Sequence, residues 1–117
     1  MDDENIISRY TRENAIDDGV LVDVTEQAKE TGIRLPTVIT DHLQQVLEDI
    51  PETSAGQDYR GRLHDVLWMT FLKLRAIQAT RDDDFPALID VIIDARKQTL
   101  WAVVDGEGLT IMFPEDY

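Results

Sequence analysis

Apolar residues change from a helical to an alternating period beyond Arg81, and that change limits the folds open to this chain. From about Asp58 to Thr80 the spacing is helical: Leu63, Val66, Leu67, Leu74 and Ile77 share one stripe, which Trp68 and Phe71 widen. Beyond Arg81 the spacing alternates, and Ala87–Ile93, Gln98–Val104 and Leu109–Phe113 read as three strands. Their links, Asp94-Ala-Arg-Lys97 and Asp105-Gly-Glu-Gly108, are short enough to demand antiparallel turns, and the second is a strong hairpin signal. A long helix followed by such a meander makes an α+β fold, with the helix packed on a C-terminal antiparallel sheet. Leu63, Val66, Leu67, Leu74, Val91, Ile93, Val103 and Ile111 are the expected centre of its core.

The first half of the chain predicts shorter pieces. Thr11 can cap a helix through Asp17 that Gly19 ends, and Val20–Val24 is short and β-branched, a strand able to join the sheet as a fourth, edge member. Thr25 is placed to cap a helical segment over Glu26–Glu30, which Gly32 stops. Ile33–Pro36 reads as an extended connector, because Pro36 disfavours a helical Leu35. Thr40 begins a further helix, with Leu43, Val46, Leu47 and Ile50 on one face and Pro51 at its end, before a polar loop at Glu52–Gly56. Residues 1–117 are expected to form a single domain, with residues 1–5 an acidic tail. A chain of this length buries about two-thirds of its unfolded surface, enough for one core.

Charge narrows the partners. Twenty-four Asp and Glu face eleven Lys and Arg, a net of −13, and the excess is concentrated in residues 1–58, which carry fourteen acids and four bases. Such a field repels nucleic acids and anionic membranes and attracts basic protein surfaces. There is no Cys, which excludes disulfides, thiolate metal sites and Cys nucleophiles. The acidic start lacks the basic-then-apolar pattern of a signal peptide, and runs such as Trp101–Val104 are too short to span a bilayer, so a soluble cytoplasmic protein is expected.

No set of residues spells a reaction. Asp82-Asp-Asp84 lacks the spacing of a calcium loop and reads as a solvated turn. His42 and His64 each adjoin an Asp, yet neighbouring helical side chains diverge by about 100° and do not face each other. There is no nucleophile elbow, no His-Glu-x-x-His and no phosphate-cradling Gly loop, so the expectation is a non-enzyme with no catalytic residue, no metal and no cofactor. Arg60, Arg62, Lys73, Arg75 and Arg81 make the long helix a basic strip, read as pairing with the acidic half rather than binding nucleic acid directly. Trp68, Met69, Phe71 and Trp101 are either core or an interface patch. The remaining constellation is acidic: Asp17, Asp18, Asp23, Glu26, Glu30, Glu48 and Asp49, with Asp41 beside them. Carboxylates one helical turn apart stand about 5–6 Å from each other, comparable to phosphates along a strand, so such a surface could occupy a DNA-binding cleft.

Ile6-Ile-Ser-Arg-Tyr10, Ala15-Ile-Asp-Asp-Gly-Val-Leu-Val-Asp-Val24, Ala28-x-Glu30-x-Gly32, Gly61-Arg-Leu-His-Asp-Val-Leu-Trp-Met69 and Leu109-Thr-Ile-Met-Phe-Pro-Glu-Asp116 together cover much of the chain. In these segments it resembles a family of small acidic proteins of unknown function carried by bacteria, phages and plasmids. That family has no assigned catalytic residues, and none is carried over. The resemblance implies a mobile genetic element, a setting in which small acidic proteins inhibit host defence. The expectation is therefore an inhibitor of anti-CRISPR or anti-restriction type that binds the basic surface of a host protein complex by imitating DNA charge. The alternative is a non-catalytic accessory protein that self-associates or docks through an apolar helix or sheet patch.

Overall fold

In the computed structural model, which describes residues 11–50, 58–80 and 86–117, the meander forms where the alternation places it. Strand β3 (Ala87–Ile93) buries every second residue, and β4 (Arg96–Asp105) and β5 (Gly108–Met112) follow it in antiparallel register. Preceding it is the long helix, Tyr59–Thr80, opened by Asp58, whose Oδ1 accepts the Gly61 N–H at 2.7 Å. The N-terminal elements are α1 (Arg12–Asp17), β1 (Leu21–Asp23), α2 (Thr25–Thr31), β2 (Thr37–Thr40) and α3 (Asp41–Glu48), so the long helix is α4. A 3-10 turn at Pro114–Asp116 closes the chain. The proposed tail at residues 1–5, the Glu52–Gly56 loop, the Pro51 stop and the Asp82–Asp84 triplet lie outside the described residues.

The α+β architecture is as expected, but the sheet is larger and differently wired. Among the described residues it has five strands in the order β1-β2-β5-β4-β3 and is mixed rather than antiparallel. The added member is β2, in a stretch without a strand assignment from sequence; it pairs antiparallel with β1 and parallel with β5. Thr37-Val-Ile-Thr40 is only one alternation long, so its period carries little signal, and its partner lies some seventy residues away. β1 thus reaches the sheet edge through β2, not by joining the meander.

One row of directly opposed residues crosses the whole sheet: Ala87, Ala102, Ile111, Ile39 and Val22. This face packs on α4 through Leu63, Val66 and Leu67, with Leu43 and Leu47 of α3 and Ala28 of α2 completing the cluster. Leu63, Val66, Leu67, Val91, Ile93 and Ile111 are buried as expected, whereas Leu74 and Val103 are not fully so. Register explains Val103: it opposes Thr110 on the other face, and Ala102 and Leu100 occupy the core instead.

Two further expectations change. The residue capping α2 is Val24, and the polar service comes from Asp23, whose Oδ1 accepts from the Thr25 N–H (2.9 Å) and hydroxyl (2.6 Å). Thr11 and Thr40 do cap their helices through their side chains. Arg62, read as part of an exposed basic strip, is buried, and its guanidinium donates to the carbonyls of Val46 (3.3 Å) and Asp49 (3.1 Å) at the end of α3. Asp94 of the β3–β4 turn approaches it at 4.0 Å. Arg62 therefore satisfies orphan carbonyls of a helix C-terminus, where a cation is favoured.

Candidate functional site

The structure distributes the acidic residues over both sides of the sheet. Arg12 of α1 donates to the Thr110 hydroxyl (3.1 Å) and the Leu109 carbonyl (3.2 Å), and approaches Asp105 and Glu107 at 4.0 Å each. Thr110 belongs to the face opposite α4, so α1 lies there and presents exposed Asp17 and Asp18 on that side. Glu26 and Glu30 project from α2, and Glu48 and Asp49 stand at the end of α3; both helices pack with α4 on the other face. All seven candidates are exposed. They do not share one surface. Asp23 is engaged in its turn, and Glu26 pairs with Lys29 at 3.1 Å, whereas Glu26 and Glu30 remain one turn apart on a solvent-facing helix.

The aromatic candidates are divided by the same sheet. Trp68 stacks on Phe71 at 5.5 Å on α4, while Trp101, on the opposite face, meets Tyr117 edge-on at 5.5 Å. Sequence reasoning grouped these residues and missed Leu72, which joins Trp68 and Met69 as an exposed apolar patch along α4. Leu88 and Ile92 are exposed on the far face of β3, by the alternation that buries Ile89 and Val91.

One polar cluster joins residues far apart in sequence. Asp116 accepts from the Thr40 hydroxyl (2.9 Å), His42 Nδ1 (2.9 Å) and the Phe113 N–H (3.1 Å), and the His42 ring lies 4.5 Å from that of Phe113. His42 thus has an acid partner, Asp116 rather than Asp41, but the hydroxyl nearby is already committed, donating to Asp116 and capping Leu43. The cluster fastens the end of the chain to the start of α3. Among the described residues no three His, Asp or Glu side chains gather in a way that could hold a metal ion. Compared with family models, curated proteins and solved structures, the chain matches none. No helix among the described residues is long and apolar enough to cross a membrane.

The Asp116 clamp has a consequence in acid. Burial alone would raise the carboxyl pKa, but the hydrogen bonds from His42, Thr40 and the Phe113 N–H outweigh it and hold the group below its ordinary 3.8. A carboxylate depressed in the folded state contributes stability above its unfolded pKa and loses it as pH falls through the folded one. The stability gap between the native protein and Asp116→Asn should therefore be full at about pH 6 and shrink by about pH 3. Urea unfolding of both at the two pH values measures it; a constant gap would mean that the clamp's charge contributes nothing.

Proposed function

We propose that this chain is an acidic interaction protein that inhibits a nucleic-acid-binding defence complex of its host, of CRISPR or restriction type, by occupying a basic surface meant for DNA. The observation that carries this reading is a net charge of −13 on 117 residues, with all seven candidate carboxylates exposed on a folded scaffold. Such a surface draws a basic partner from a distance and excludes nucleic acid from the protein itself. Because the carboxylates lie on both sides of the sheet, the pair on α2, Glu26 and Glu30, is the best-defined element of the contact. No catalysis, metal or cofactor enters this mechanism.

The test is competition. The protein should displace DNA from such a complex, and its binding should weaken steeply as the Debye length falls from about 10 Å at 0.1 M salt to about 3 Å at 1 M. Glu26→Lys/Glu30→Lys should weaken binding by about tenfold or more without unfolding, since both side chains face solvent. A second reading, docking through an apolar patch, is favoured by Trp68, Met69 and Leu72, each about two-fifths exposed on one helix. Binding that ignores salt and the charge reversals, and survives bound DNA, would favour this second reading and sink the first.

A further inference from the structure

An open groove of about 1340 Å³ runs between the connector that follows α2 and the second half of α4. Its floor is apolar, including Ile33, Phe71, Leu74 and Val104. Among the described residues its charged lining is cationic: Lys29, Arg34 and Arg75. In a chain of net −13 this is a local inversion of sign. Lys29 is shared with Glu26, Arg75 stands 5.7 Å from the centre of the Phe71 ring, and Arg34 has no ion-pair partner among the described residues. Phe71 also sets the groove's wall: a methyl group on Gly32, which sits at φ +105, would come within 2.9 Å of the ring. The Phe71 ring also stacks on that of Trp68.

Size and charge together select an occupant. Pockets for small molecules measure about 300–1,000 Å³ and enclose most of the ligand, whereas this groove is larger and open along one side. The stretch of α4 that lines it, Phe71 to Gln78, is about 10 Å long, two helical turns, the length over which an amphipathic helix presents anchors at i, i+3 or i+4, and i+7. Arg and aromatic side chains are also those that concentrate binding energy in interfaces. We propose that the groove seats an acidic amphipathic helix of a partner protein, its apolar stripe on the floor and its carboxylates toward Arg34 and Arg75. The inference rests on the docking reading above and is independent of the acidic-surface reading, which uses the opposite sign of charge.

The probe is a fluorescein-labelled helical peptide of about eighteen residues, long enough to hold a helix, with a Leu stripe flanked by Glu. Its comparator carries Lys at every Glu position. Anisotropy titration with the full chain should show the acidic peptide binding at least about tenfold tighter, the reverse of what net charge alone would give. Arg34→Glu/Arg75→Glu, checked for an unchanged circular dichroism spectrum, should invert that preference. Tighter binding of the Lys peptide, saturation by neither peptide, or a preference untouched by the double reversal would overturn the proposal. Saturable binding of dodecanoate but not of the acidic peptide would overturn it in favour of a long-chain carboxylate. A dimer in sedimentation that the arginine reversals dissociate would overturn it in favour of a second copy of this chain. Loss of peptide binding in Trp68→Ala/Leu72→Ala, with the arginine reversals silent, would overturn the groove while leaving docking through α4 in place.

Discussion

Replacing Gly108 with alanine should cost about 3 kcal/mol or more, more than most substitutions at a turn, and should detach the two N-terminal strands from the meander. The residue stands at φ +133, a conformation that L side chains rarely adopt, and such strain costs roughly 1–3 kcal/mol. The larger obstacle is the neighbouring chain: a Cβ there would lie 2.3 Å from the carbonyl oxygen of Pro36. That oxygen accepts the Leu109 N–H at 2.8 Å, the bond from which the parallel β2–β5 register starts at Thr37↔Leu109. A methyl group forces β2 away from β5, and β1, whose one strand partner among the described residues is β2, moves with it. Gly106, in the same turn, meets nothing within 4 Å, so Gly106→Ala should stay within about 0.5 kcal/mol. Urea unfolding of the two variants side by side is the measurement; equal midpoints would refute the role assigned to Gly108.

Leu67→Ala should be comparably damaging. Leu67 is fully buried within the cluster joining α4 to the sheet, with Leu63 and Val66 on its own helix and Ile89, Leu100 and Ile111 among the strand members. Truncating a Leu in such a setting costs about 2–5 kcal/mol, the transfer loss plus the cavity left behind. Leu72 lies five residues on along the same helix and is 41% exposed, so Leu72→Ala should change stability by no more than about 0.5 kcal/mol. The contrast separates the face of α4 that holds the fold together from the face available to a partner. A loss below about 1 kcal/mol at Leu67 would mean that the core has been misplaced.

Both residues also mark where local reading stops. Gly108 is visible in the sequence as part of a hairpin, and a glycine there needs no further reason; its actual constraint is the Pro36 carbonyl, seventy-two residues earlier. Arg62 reads in the sequence as one of a strip of cations on the long helix, yet it is buried, where its guanidinium serves the carbonyls ending α3. His42 sits beside Asp41 in the chain and pairs with Asp116 in space.

The long helix, the three-strand meander, the Thr11 and Thr40 caps and the negative field all follow from the amino-acid order. Each depends on spacing within a few residues or on a sum of charges, and both are written locally. The β2 strand, its parallel pairing with β5, the division of Asp17 and Asp18 from Glu26, Glu30, Glu48 and Asp49, and the cation-lined groove were decided by tertiary structure alone. Those features arise when segments far apart in the chain share one sheet, and a short apolar run carries no record of the partner against which it will be buried.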